Sequence, residues 1–190
     1  MNNDPWLERW LPLITQKCAN KELLEIGCGR GWDTIVLAEA GLKVQAIDLH
    51  DGDQLQNQLL NVRFQQVDVQ DFFPQPENRY PVILASLSLH YFPWDITRRL
   101  IEDVHHALDQ DGLLLFRVNS TEDKLYGAEG YPEISHHFYQ VGEQSKRFFD
   151  DADLAQLFVT HKWSIMSQEN MTIDRFDRLK NVWELILKKG

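Results

Sequence analysis

The residues best placed to do chemistry lie in Leu23-Leu24-Glu25-Ile26-Gly27-Cys28-Gly29-Arg30-Gly31-Trp32-Asp33-Thr34, where glycine recurs at every second position of a turn. Gly27, Gly29 and Gly31 carry no Cβ, so such a loop turns sharply and its backbone N–H groups approach a ligand that side chains would hold away. The spacing narrows the choice. A dinucleotide fingerprint needs its third glycine where Trp32 stands, and a phosphate loop needs Gly-Lys-Ser/Thr, which is absent. A carboxylate closes the next apolar run, Val44-Gln45-Ala46-Ile47-Asp48, where the two hydroxyls of a ribose would need an acceptor. The plain alternative is a glycine-rich turn with a structural role only.

These residues need elements to hold them, and apolar periodicity supplies the elements in order. A first helix is expected from Pro5 to about Cys18, with Asp4 as N-cap, Pro5 at its first position and Trp6, Leu7, Trp10, Leu11 and Ile14 on one face. Pro12 argues for a break or kink within it. Strands are expected at Leu23–Ile26, Lys43–Asp48, Val62–Val67 and Val82–Ser86, with helices at Asp33–Ala40 (closed by Gly41), Asp51–Leu60 and Asp95–Leu108. Phe72 to Glu77 is a surface connection. Asp109-Gln110-Asp111-Gly112 turns the chain into a buried strand, Leu113–Val118. Such alternation implies parallel strands with helices on both faces, an α/β doubly wound sheet. From Asn119 to Phe149 the pattern lapses into a long loop, of a length usually functional or disordered, and its aromatic and histidine residues favour function. A short helix follows at Asp151–Phe158. Trp163–Thr172 and Val182–Lys188 then read as strands joined by Ile173–Asn181, a joint short enough to make them antiparallel.

Residues 1–190 form one domain on this reading, and 43% hydrophobic and 25% charged residues are ordinary for a globular chain. Asp+Glu 29 against Lys+Arg 19 leaves a net charge of -10, which repels a polyanion and makes nucleic acid a poor partner. Cys18 and Cys28 have neither disulfide nor metal-ligand spacing, and His105 and His106 are helix neighbours pointing about 100° apart, so no metal is expected. The start has no basic-then-apolar leader and no run is long enough to span a bilayer, so the expected setting is cytoplasmic, away from membrane.

Glu25-x-Gly27-x-Gly29-x-Gly31 with Asp48 resembles the first two motifs of the class I S-adenosylmethionine (SAM) methyltransferases, and the resemblance runs from about Lys21 to the end. It implies a Rossmann-like, seven-stranded sheet of order 3-2-1-4-5-7-6 with strand 7 antiparallel, in a three-layer sandwich, and SAM as co-substrate. It further implies cofactor contacts from Glu25, Gly27, Cys28, Gly29 and Gly31 around the methionine and ribose, Asp48 on the ribose hydroxyls, and Asp68 with Val69 on the adenine edge. Leu49 and Val69 would wall the adenine, and Ser86 with Leu87 would contact the region of the sulfonium. Asp68 has the alternative of a strand-ending turn residue. The N-terminal helix, within residues 1–20, either lids the pocket or packs on the sheet.

Methyl transfer from a sulfonium asks mainly for in-line placement, and a base only when the acceptor is protonated. His90 and Tyr91 follow the fourth strand and are the first candidates, with His136, His137 and Tyr139 behind them. Ser86-Leu87-Ser88-Leu89-His90 is neither the Asn/Asp-Pro-Pro-aromatic of base amine methylation nor the Pro-Cys of cytosine methylation. With the acidic balance, this points to a small-molecule acceptor with an O, N, S or chalcogen nucleophile. Val118 to Gly127, Glu133, Tyr139 and Lys146–Phe149 resemble, in part, the acceptor-side loop (residues 119–150) of a bacterial subgroup related to tellurite-resistance and thiopurine methyltransferases. Arg117, Asn119, Tyr126, Tyr139 and Arg147 then stand as candidates around an anionic acceptor, unless Arg147 only pairs with nearby acids. A non-catalytic SAM sensor, another SAM-using transferase and, more distantly, a nicotinamide oxidoreductase are the competing readings.

Overall fold

Alternation along each strand divides its side chains between two separate cores, and that division explains the layers. The computed structural model describes residues 4–52, 59–73, 79–125, 127–174 and 178–190. The central strands are β1 (Glu22–Ile26), β2 (Lys43–Asp48), β3 (Val62–Gln66), β4 (Tyr80–Ser86) and β5 (Leu108–Asn119). Leu23, Val44, Val82, Leu84, Leu113 and Leu115 point to one face, where α1 (Leu11–Cys18) and α2 (Trp32–Glu39) cover them with Ile14, Cys18 and Leu37. Leu24, Ile26, Ile83, Leu114, Phe116 and Val118 point to the other. There Leu100, Ile101 and Val104 of α4 (Trp94–Ala107) and Leu154 and Leu157 of α5 (Asp151–Leu157) close the core. A short α3 (Val69–Phe72) follows β3.

Three short strands come next, β6 (Glu133–Ser135), β7 (Phe138–Val141) and β8 (Gln144–Arg147), before β9 (Trp163–Asp174) and β10 (Leu179–Lys189). The main sheet has the order β3-β2-β1-β4-β5-β10-β9. Neighbours from β3 to β5 run parallel, while β10 is antiparallel to both β5 and β9. This is the Rossmann-like methyltransferase arrangement, with the last strand inserted antiparallel. Strand order reverses between β1 and β4, so their carboxyl ends diverge and open a crevice.

The structure corrects several boundaries. The first helix begins at Leu11, not Pro5, because Pro12 sits in its first turn, where a missing N–H costs nothing; residues 6–10 are turns. Asp4 caps no helix, since its carboxylate lies 2.6 Å from Arg117 Nη2. The expected long loop between Asn119 and Phe149 instead contains the antiparallel sheet β6-β7-β8. The helix expected at Asp51–Leu60 and the connection through Glu77 fall largely outside the described residues.

Candidate functional site

The glycine loop is pinned to the sheet from below. Gly27 and Cys28 both donate their N–H groups to Ile47 O, at 2.8 and 3.1 Å. Gly27 has φ +73°, and a Cβ there would stand 2.3 Å from Ser88 Cβ, so glycine is required where the loops after β1 and β4 touch. Gly29, at φ +54°, faces open space and donates its N–H to Asp48 Oδ2 at 2.8 Å. The other Asp48 oxygen accepts from His50 N–H at 2.9 Å. Gly31 starts α2 as its N-cap with φ +78° and stands outside the cleft lining.

These loops floor a cleft of about 890 Å³ at the carboxyl ends of the strands. Glu25, Gly27, Cys28, Gly29, Asp48, Leu49, Asp68, Val69, Ser86 and Leu87 all line it. Asp68 also caps α3, accepting from Gln70 N–H at 2.8 Å. Glu25 is buried and accepts a 2.6 Å bond from the Thr34 hydroxyl. Burial, then the charge of Asp33, push its carboxyl up to about 8 against the helping bond from Thr34, with Asp48 adding to the rise. Burial, then the nearby carboxyls of Glu25 and Asp48, push the Cys28 thiol well above its usual range, so it is a neutral apolar wall and not a nucleophile. Leu87 holds φ +53°, rare for a residue with a side chain, where its N–H donates to Arg117 O at 2.8 Å. A residue held there costs about 1–3 kcal/mol, and such positions cluster at ligand clamps.

The far end of the cleft is built by Asp4, Trp6, Tyr91, Phe92, Arg117, Gln144 and Ser145. Arg117 is 2% exposed; it binds Asp4, lies 3.5 Å from Glu184 Oε2 and stacks over the Trp6 ring at 4.5 Å. Trp6 donates its indole N–H to Asp33 at 3.1 Å, while Arg9 and Trp10 converge on Glu184. The N-terminal segment therefore both packs and borders the cleft. Phe92, Gln144, Ser145 and the pairing of Asp4 escape the sequence reading, because partners 113 residues apart leave no local signal.

Other expected residues go elsewhere. His90 is 3% exposed and absent from the lining, with its ring 4.2 Å from that of Tyr91, which does reach the cleft. Asn119 is buried and donates to Arg147 O. Arg147 is 1% exposed and lies outside the lining, because its guanidinium donates to the carbonyl of His136 at 2.9 Å between the rings of Trp94 and Phe138. Tyr139, His136 and His137 are likewise outside the lining, and Tyr126 is outside the described residues.

A family profile described as a methyltransferase domain matches residues 4–168, which spans the glycine loop, the cleft and both cores. The chain belongs to this methyltransferase family. An uncharacterized methyltransferase of Staphylococcus carnosus is 25% identical over 173 residues, covering 90% of this chain and 80% of that one. The fold is also that of the 1,6-didemethyltoxoflavin-N1-methyltransferase of Burkholderia thailandensis, solved with 1,6-didemethyltoxoflavin and S-adenosylhomocysteine (TM-score 0.75, 19% identity, 99% of this chain and 80% of that). A SAM-dependent methyltransferase of Methanosarcina mazei shares it too (TM-score 0.76, 17% identity, 94% and 97% covered). For a methyltransferase, the cleft puts an open glycine beside a carboxylate at one end and an aromatic and polar wall at the other.

Proposed function

We propose that this methyltransferase transfers the methyl group of SAM to a small-molecule nucleophile by in-line displacement, releasing S-adenosylhomocysteine. The observation that carries this reading is the charge and shape of the cleft. Four carboxylates line it (Asp4, Asp33, Asp48, Asp68) against Arg30 and Arg117, with Glu25 beside them held protonated at neutral pH, and Gly29 leaves open space beside Asp48. A sulfonium cation suits such walls, whereas a dinucleotide pyrophosphate would meet repulsion. Asp48 would hold the ribose hydroxyls, Asp68 and Val69 the adenine edge, Leu49 one adenine face, and Ser86 and Leu87 the region of the reacting centre. Gly31 would act indirectly, by starting α2.

When bound, the sulfonium supplies an activated methyl and a neutral leaving thioether. Placement of the acceptor by Trp6, Tyr91, Phe92, Gln144 and Ser145 can then supply up to about 7–11 kcal/mol of the acceleration. Of the two catalytic candidates, Tyr91 borders the cleft and could take or hold an acceptor proton; His90 would act through the Tyr91 ring it touches. The Burkholderia enzyme, solved with 1,6-didemethyltoxoflavin bound, supports an acceptor of small-molecule size. The charge balance supports the absence of nucleic acid, and a cytoplasmic setting fits the two free cysteines. The test is a methyl-donor assay over thiols, phenols, amines and oxyanions, reading S-adenosylhomocysteine. Release with at least one acceptor is expected; SAM bound and unchanged with every acceptor would replace the enzyme by a sensor.

A further inference from the structure

Outside the cleft, the turn between β6 and β7 brings two imidazoles and a carboxylate together. His136 and His137 are consecutive, and side chains of consecutive strand residues normally point to opposite faces. Here His137 takes φ +54° and the two rings stack, with centroids 3.7 Å apart and planes 29° from parallel. That backbone is held on both sides: His137 N–H donates to Glu133 Oε1 at 3.0 Å, and its carbonyl accepts from Phe148 N–H at 2.8 Å. Both rings face Asp153, 2.7 Å from His137 Nδ1 and 3.7 Å from His136 Nε2. One ligand atom from each of the three residues lies within 4.8 Å of the others.

We infer that His136, His137 and Asp153 bind a divalent transition metal of the zinc class. Metal–nitrogen and metal–oxygen bonds near 2.0–2.2 Å place tetrahedral ligand atoms about 3.3 Å apart. The 2.7 Å contact must open and the longer ones close, and His136, with its side chain 72% exposed, is free to turn. Two imidazoles select zinc, nickel, copper or cobalt over magnesium and calcium. Asp153 is already oriented: it is buried, and it shares a reciprocal capping box with Asp150 at the start of α5. Glu133, which accepts from His137 N–H, and Asp150, which accepts from Asp153 N–H, add negative charge beside the site. Arg147, whose guanidinium donates to the His136 and Phe92 carbonyls, is a positive charge near Asp153 that the acidic neighbours offset. Three protein ligands leave the fourth position to water.

The clip ties the turn between β6 and β7 to the first turn of α5, 16 residues further along the chain. Gln144 and Ser145 of that sheet line the cleft, so an ion here would fix one wall without touching the donor side. The proposal stands apart from the methyl-transfer reading, because it concerns metal affinity alone. Tag-free protein stripped with a chelator is titrated with Zn²⁺ by calorimetry, and Co²⁺ absorption reports the coordination. One ion per chain is expected with Kd below about 100 μM. His136→Ala, His137→Asn and Asp153→Asn should each weaken it at least about tenfold, and His161→Ala should leave it unchanged. Asn tolerates the left-handed backbone at position 137, and Asn at 153 keeps an oxygen for the cap, so the metal-free melting temperatures verify folding. Weaker binding by the parent protein, or affinity retained in all three variants, overturns the site.

Discussion

At the scale of single residues, Glu25 is a carboxyl whose surroundings change its charge at neutral pH. Its carboxyl sits at about 8 in the folded chain against an ordinary 4.5, chiefly through burial. The folded state therefore holds a proton that the unfolded chain releases between those values. Stability is greatest below about pH 4.5 as far as this group is concerned, and falls as pH rises through 8, by up to about 1.4 kcal/mol per pH unit. Glu25→Gln keeps an acceptor for Thr34 and removes the titration. Urea unfolding at pH 5, 6, 7 and 8 should show the variant gaining on the parent as pH rises; parallel profiles would refute the assignment. That Glu25, Gly27, Gly29 and Asp48 meet at the strand ends was legible in the sequence because their spacing carries the geometry, whereas Gly31 stands outside the cleft as the N-cap of α2. Why Gly27 must be glycine was not, since the atom it avoids belongs to Ser88.

For Tyr91 and His90, the structure separates two residues that the sequence reading treated alike. Tyr91 borders the cleft and His90 does not. Tyr91→Phe should lower kcat for a protonated acceptor with SAM affinity kept, by about 10²-fold if the hydroxyl takes part in proton transfer. Equal kcat in parent and variant would leave placement as the whole of the catalysis.

Among the elements, the N-terminal segment is tied to the sheet more firmly than a surface helix would be. Asp4 and Glu184 together neutralise a buried Arg117, and Trp6, Arg9 and Trp10 add four further bonds to acids. Asp4→Asn leaves that guanidinium short of one charge partner. We expect a loss of about 2 kcal/mol, a fall in Tm of about 4–8 °C. An unchanged Tm would show that Glu184 alone suffices. Most strands and α4 were legible from their periodicity, because both faces or one whole stripe are buried. The small sheet was not: β6 is exposed throughout and β7 and β8 have four residues each, so no alternation marks them. The break before Leu11 was foreshadowed by Pro12, whereas the partner of Asp4 was beyond any local pattern.

Across the whole molecule, two cores separated by one sheet hold the ends of β1, β2 and β4 rigidly enough for three loops to share a cleft. Topology sets where that cleft must lie, and the glycine and acid content of the loops sets what enters it. No helix among the described residues is long and apolar enough to cross a membrane. The acidic surplus of the chain, -10 overall, is continued in the cleft by Asp4, Asp33, Asp48 and Asp68 against two arginines, a balance that favours a cationic donor over an anionic one. The wall proposed to place the acceptor is built from residues scattered from Trp6 to Ser145, which no single stretch of sequence assembles. The most direct measurement is calorimetric titration of SAM into the parent protein and into Asp48→Ala. The account predicts one site per chain in the parent and at least about tenfold weaker binding in the variant, through loss of charge-assisted bonds to the ribose. An equal dissociation constant in the two proteins, or no SAM binding by the parent, would contradict it.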